Sequence, residues 1–402
     1  VVETENLIQI KTIYFTLTYD KEKPFTGMNL KVLLNESNKE WTYQNKEVRN
    51  FGSINYSLDN YQGSSLLGKG LYSSDGFSAI DDSNSLVLSD NDEFILRENK
   101  EVDVYLFVYR RDFNKCLEDY YKLTGYPSFI PRYALGNWWY KNENYNMQDI
   151  GEVVKKFYEN NIPISIFMLG NNWHDNINNF SFNPQSFPDL QVLNNFLKSN
   201  KIKFGLTIST QLGITSQDNL YEQARQALNN NSSRINIMPL NLSSTTFYFN
   251  NYISTLTRQG VDFFGIDYNN SKDLVNLWLL NHYHYTYLPT KTSKRGLILS
   301  RNSMIAPHRY PVIYSGFTKV NWETLNVLPY YNSSAANLGV SFVAHPIGGY
   351  YNGIEDAELY MRYVQFGVFS PILILASDKG KYYKREPWRW SKLTLDIIAD
   401  YL

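Results

Sequence analysis

Three side chains able to do chemistry stand at the ends of apolar runs. In "GVDFFGID", Asp267 closes such a run and precedes an Asn-rich loop. A carboxylate there can act as a nucleophile, stabilise positive charge or cap the next helix. Arg301 ends "LILSRN" and can hold hydroxyl groups or a structural ion pair. His345, in "VAHPIGG", reads as hydrogen-bonded structure or as a catalyst. A fourth run, "PVIYSGF", is followed by the same kind of small-residue turn and yet presents Phe317, whose ring can stack but cannot move a proton.

Other chemistries lack their parts. The five histidines, at 174, 282, 284, 308 and 345, show no ligand spacing, and His282 and His284 would point apart on a helix. A single cysteine, Cys116, supports neither a disulfide framework nor a Cys-based zinc site, and is expected to be buried and inert. A strand-to-helix Gly-x-Ser-x-Gly elbow is absent, which argues against Ser-His-Asp hydrolysis. No metal and no cofactor is therefore expected. Carboxylate chemistry is what remains, with one carboxylate to do it.

Those side chains need elements to carry them. Up to about residue 128 the pattern is short alternating runs, such as "QIKTIYFTLTY", "NLKVLLN" and "VDVYLFVYRR", separated by Asn, Gly, Asp and Ser, which predicts an antiparallel β domain. "DFNKCLEDYYKLTG" has helical spacing and ends on Gly125, a stop signal. After Pro131 strand-like and helix-like segments alternate. The strand-like ones are "YALGNWW", "ISIFMLG", "IKFGLTIS", "VDFFGID", "GLILSR", "PVIYSG", "VSFVAH" and "FSPILIL". Eight buried strands with intervening helices is the count of a TIM barrel. The other arrangement, a doubly wound sheet, lacks its Gly-rich phosphate loop.

With 402 residues, of which 43% are hydrophobic, the chain can bury a large core or two. Its 38 basic and 39 acidic residues are scattered and nearly cancel, so no footprint for nucleic acid or an anionic membrane exists. No run of 18 apolar residues predicts a membrane-spanning segment. Abundant aromatic residues suit stacking on sugars, or simply reflect a composition rich in Asn, Lys, Tyr and Ile. The first residues, "VVETENLIQI", lack a signal peptide's regions and read as mid-strand, as in a fragment or a processed product; the compartment stays open.

Taken in order, "SLDNYQG", "KGLYSSDGFSAIDDS", "DFNKCLEDYYKLTG", "PRYALGNWW", "FSFNPQSFPDL", "GVDFFGID", "LWLLNHYHY", "LILSRN", "HRYPVIYSGFTKVNWETL", "SAANLGVSFVAHPIGG", "LYMRYVQFGVFSPI" and "REPW" resemble glycoside hydrolase family 31, the α-glucosidase and α-xylosidase group. The resemblance implies an α/β fold, a (β/α)8 TIM barrel over 129–402 preceded by an antiparallel β-sandwich, apparently partial, over 1–128. It implies retaining hydrolysis of an α-glycoside, in which one carboxylate attacks the anomeric carbon and a second, about 5–5.5 Å away, protonates the leaving oxygen.

By that resemblance the nucleophile falls on Asp267 and the sugar-holding arginine on Arg301, with Trp173 and His345 as further sugar-binding candidates. The acid/base position falls on Phe317. Four more polar positions of the family fall on Gly170, Asn172, Pro346 and Ala376. Glu323 matches a helix residue of the family and reads as structural; Asp175, Asp378 and Glu355 lie near strand ends as stand-in acids. The expectation is a homologue impaired or inactive in catalysis, kept for binding a carbohydrate or assembling with a protein partner. The alternative is an active retaining α-glycosidase that uses Asp267 and a non-standard acid.

Overall fold

The eight apolar runs after Pro131 form eight parallel strands, Asn137–Lys141, Ile166–Leu169, Lys203–Ile208, Phe263–Ile266, Ile298–Leu299, Ile313–Tyr314, Val343–Ile347 and Ile372–Ser377. Numbered in that order, they lie 5-4-3-2-1-8-7-6 in the sheet. The ends of this sheet meet through a parallel bridge between Ser300 and Ile313. There Ser300 N–H donates to the Val312 carbonyl at 3.0 Å and Tyr314 N–H to the Ser300 carbonyl at 2.7 Å. The sheet is thus closed, as the expected (β/α)8 barrel requires.

The computed structural model describes residues 1–44, 49–59, 61, 63, 68–91, 93–97, 101–174, 180–211, 213–268, 270–291, 293–303, 306–380 and 383–402. Two units are distinguished. One comprises Val1–Ile54, Leu67–Tyr126 and Ala336–Gly339, the other Asn55–Leu66, Pro127–Ala335 and Val340–Leu402. The sequence pattern puts one boundary at 128/129, whereas these units interleave along the chain. The grouping of Asn55–Leu66 with the barrel is not visible in that pattern.

Strand side chains alternate between faces, and the barrel interior collects every second one. Trp138, Tyr140, Ile166, Met168, Phe263, Leu299, Tyr314, Ala344 and Ile374 form one buried cluster. Their neighbours point to the helices, as Trp139 does when its ring meets Phe157 at 5.4 Å. Helix Met147–Glu159 begins at a reciprocal Asn146–Asp149 capping box and buries Ile150, Val154 and Phe157 at helical spacing,. Helix Ala357–Val368 is capped by Asp356 and buries Leu359, Tyr363 and Val364.

In the N-terminal unit the strands Val2–Glu3, Leu7–Lys11, Phe15–Asp20, Leu30–Leu34 and Glu40–Thr42 form a sequential antiparallel sheet. Leu30, Val32, Leu34 and Trp41 from this sheet pack with Phe77 and Ala79 of a second antiparallel pair, Phe77–Asp81 with Val104–Val108. That is the face-to-face packing of a sandwich. Helix Phe113–Thr124 closes on Gly125, and Cys116 is buried in a cluster with Leu71, Tyr109 and Tyr120.

Two interior glycines are there for space. A Cβ on Gly205 would stand 2.6 Å from the Phe263 ring, and one on Gly265 would stand 2.2 Å from the Met168 methyl. Gly205→Ala should therefore lower stability by about 1–3 kcal/mol, and Phe263→Leu added to it should recover part of that loss. Denaturant midpoints of the single and double variants check this; strict additivity would disprove the packing argument.

Candidate active site

Asp267 follows the fourth strand, whose alternation sends Phe263, Gly265 and then residue 267 toward the barrel axis. Its N–H donates to the Ile208 carbonyl at 2.8 Å, which fixes the backbone. Its Oδ2 accepts from Asn171 Nδ2 at 2.9 Å. The carboxylate is therefore held by a neutral amide.

Arg301 follows the fifth strand and is 6% exposed. Asp59 takes it in a two-pronged pair, Nε to Oδ2 at 3.0 Å and Nη2 to Oδ1 at 3.1 Å. The rings of Phe317 and Tyr314 flank the guanidinium, with centroids 4.6 and 5.2 Å from Cζ, in cation–π range. Burial opposes the charge and the Asp59 carboxylate outweighs it, so the pKa of Arg301 is raised and the group stays charged,.

Phe317 follows the sixth strand after Gly316. Its ring packs on Tyr350 at 4.2 Å and edge-on to Tyr314 at 5.8 Å, and its N–H donates to Asp59 Oδ1. Asp267, Arg301 and Phe317 line one cavity with Tyr140, Met168, Thr207, Gly265, Ile266, Leu299 and Tyr314, of about 20 Å³. Such a volume holds about one water molecule, whereas ligand pockets run to hundreds of Å³. Tyr140 accepts from Thr207 Oγ1 at 3.1 Å.

The sequence brings three of its five candidates together here and the structure puts the other two elsewhere. His345 is a correction: it lies in the middle of the seventh strand, between the inward Ala344 and Pro346, and so faces the helices. Its Nε2 is 2.8 Å from Asn332 Oδ1 and its ring meets Tyr331 and Phe366. Trp173 is not on the wall of that cavity. It is 1% exposed, donates from Nε1 to the Thr207 carbonyl at 2.8 Å, and stacks on His174 at 3.8 Å.

The other expected positions are also accounted for. A Cβ on Gly170 would stand 2.1 Å from Asn142 Oδ1, so the glycine makes room for that amide. Asn172 approaches the same amide at 3.4 Å. Ala376 and His345 are fully buried. Asp378 accepts from Asn142 Nδ2 at 3.1 Å, and Glu355 is bound to Arg385 at 2.5 Å. Glu323 is exposed in the first turn of helix Trp322–Ala336, and Asp175 lies outside the described residues.

Asn142, Asn171 and Asp59 are the polar residues that sequence reasoning missed. Asp59 had a signal, since "SLDNYQG" carries the family resemblance, but the segment was assigned to the β domain. Among the described residues no group of three or more His, Cys, Asp or Glu could hold a metal ion. No described helix is long and apolar enough to cross a membrane.

A closed parallel barrel with an aspartate after the fourth strand and an arginine after the fifth has its polar side chains where barrel enzymes carry their sites. The comparisons specify it further. Residues 127–402, more than half of the chain, match the Glycosyl hydrolases family 31 TIM-barrel domain, and the chain belongs to glycoside hydrolase family 31. It is 23% identical over 335 residues to the alpha-xylosidase of Saccharolobus solfataricus, covering 75% of this chain and 45% of that one. It is 22% identical over 362 residues to the neutral alpha-glucosidase AB of Mus musculus, covering 76% and 37%. The chain thus spans less than half the length of these relatives.

Two solved structures share the fold. The Flavobacterium johnsoniae GH31 dextranase complexed with glucose has a TM-score of 0.76 at 16% identity, over 100% of this chain and 60% of that one. A GH31 alpha-xylosidase from a soil metagenome, complexed with xylose, gives 0.74 at 13% identity over 100% and 75%.

The placement of His345 has a consequence for acid stability. Burial holds its ring neutral, its pKa pushed down from 6.5 to about 3, and His284 is pushed to about 3 in the same way. Above 6.5 both states are neutral and the histidines contribute nothing. As pH falls below that, the unfolded chain takes up protons that the folded chain refuses, and stability drops by about 1.4 kcal/mol per pH unit for each such histidine. His345→Gln should make the fall in denaturant midpoint between about pH 6.5 and 5 shallower; an unchanged slope would contradict the burial argument.

Proposed function

We propose that this chain is a family 31 barrel impaired or silent in glycoside hydrolysis and kept for recognition or assembly. The observation that supports it best is Phe317. A retaining mechanism needs a second carboxylate about 5–5.5 Å from the nucleophile, and at the family's acid/base position a benzyl ring lies against Arg301 and Tyr350. Among the described residues Asp267 is the one carboxylate on the cavity wall. Loss of a general acid alone slows a reaction roughly 10²- to 10⁴-fold. The neutral Gly170, Asn172, Pro346 and Ala376 at other expected polar positions remove contacts that would favour the transition state.

The small cavity favours a role in assembly with a protein partner over a sugar held at the barrel mouth. Relatives solved with glucose or xylose support the carbohydrate-binding version of the same reading. The alternative, an active retaining α-glycosidase, draws on the persistence of Asp267 and Arg301 and on a second carboxylate, Asp59, against the backbone of residue 317.

Substrates separate these readings. The expected result is no turnover of α-linked glucose or xylose disaccharides, with at most slow labelling of Asp267 by α-glycosyl fluorides, whose leaving group needs no protonation. Ready disaccharide hydrolysis would overturn the proposal. Phe317→Asp should restore almost no hydrolysis, because the other neutral positions remain; strong rescue would mean that the missing acid is the whole defect.

A further inference from the structure

The segment Asn55–Asp59 crosses the C-terminal ends of three consecutive strands. After the fourth, Tyr56 donates its hydroxyl to the Tyr268 carbonyl. After the fifth, Asn302 N–H donates to the Tyr56 carbonyl at 3.3 Å and Asn302 Nδ2 to the Asn55 carbonyl at 3.2 Å. After the sixth, Leu58 N–H donates to the Ser315 carbonyl at 2.6 Å. Asp59 then ends the segment on Arg301 and on the Phe317 N–H.

The seat for that carboxylate is built on every side. Two guanidinium donors and one backbone N–H reach it, and Ser57 Oγ donates to Oδ2 at 2.8 Å. Gly316, at φ +121°, leaves the room: a Cβ there would stand 2.7 Å from Asp59 Oδ1. Apart from the Arg301–Asp59 ion pair, which a ligand's own oxygens would have to replace, the ties between the segment and the barrel are chiefly hydrogen bonds, and Leu58 is buried, 3% exposed. A segment held in that way opens without dismantling a core.

We propose that Asn55–Asp59 is a strap that closes the barrel mouth, and that Asp59 is an internal occupant of the two-donor face Arg301 offers to a ligand. A ligand able to displace it presents two adjacent oxygen acceptors, as a carboxylate or a vicinal diol does, since a guanidinium meets such pairs in parallel. The strap meets the cavity around Asp267 through Arg301, which lines it. It concerns access to Arg301 and does not depend on whether hydrolysis persists.

Labelling by an arginine-selective dicarbonyl, read by peptide mass spectrometry on the whole chain, tests the strap. Arg385, 1% exposed and paired with Glu355, serves as internal reference, and circular dichroism confirms that each variant is folded. Arg301 should react slowly in the parent chain and about tenfold or more faster in Asp59→Ala, as expected for loss of charge-assisted hydrogen bonds. Ser57→Ala, which keeps the carboxylate and removes one support, should fall between. Added formate should restore protection of Arg301 in Asp59→Ala by taking the empty seat.

Equal Arg301 reactivity in the parent chain and in both variants would overturn the strap, as would formate having no effect on a fast-reacting Asp59→Ala. Should Asp59→Ala fail to fold, Ser57→Ala decides by the same comparison. Disaccharide hydrolysis would overturn the silent-barrel reading and leave the strap standing. Equal labelling would do the reverse.

Discussion

A guanidinium taken out of water has to be given a counter-charge, and the mouth of this barrel is arranged around that requirement. Arg301 is carried inward by the end of the fifth strand. Leaving it there alone would cost several kcal/mol, more than most single contacts return. Asp59 supplies the charge, and the neighbouring rings of Phe317 and Tyr314, set edge-on to each other, lie within cation–π range of the guanidinium. The glycine at 316 and the turn around it then follow, because the carboxylate must come within reach of the 317 amide. One ion pair thereby ties the path of a loop to the conformation of a turn.

Around that pair the polar groups are chiefly neutral amides and hydroxyls. Asn171 holds Asp267, and Asn142 holds Asn171, Asn172 and Asp378 together. Amides of this kind satisfy hydrogen bonds without setting up the opposed charges that drive a proton from one group to another. Such a network rigidifies a site more readily than it catalyses in one. The fold of family 31 does not by itself carry the chemistry of its members, which depends on the side chains at its strand ends.

The barrel was legible in the sequence because strands buried on both faces read as continuous apolar runs, and all eight did so from "YALGNWW" to "FSPILIL". The site was legible in part. Asp267 and Arg301 each follow a short strand, and the rule that strand ends carry function applied to them directly. Of the two readings of His345 the hydrogen-bonded one fits its place, because the seventh strand runs on to Ile347 and period-two alternation from Ala344 turns it outward, onto Asn332. For Trp173 the sequence could not show its burial or the bond from its N–H to the Thr207 carbonyl. Asp59 was out of reach of local pattern altogether: the pairing spans 242 residues of sequence, and nothing in "SLDNYQG" names its partner.

The assignment of Asn55–Leu66 to the barrel unit bears on what counts as the barrel's own chain. The family model begins at residue 127, and a polypeptide cut there would keep all eight strands, every enclosing helix and Arg301. It would lack the residue that neutralises Arg301. Such an excised barrel would carry an uncompensated interior charge, a penalty of about 3–5 kcal/mol, and a mouth lined by backbone groups with water as their only partner. The stretch recognised as a domain by descent is therefore shorter than the stretch that is self-sufficient by electrostatics, and the difference is a few residues contributed from far upstream.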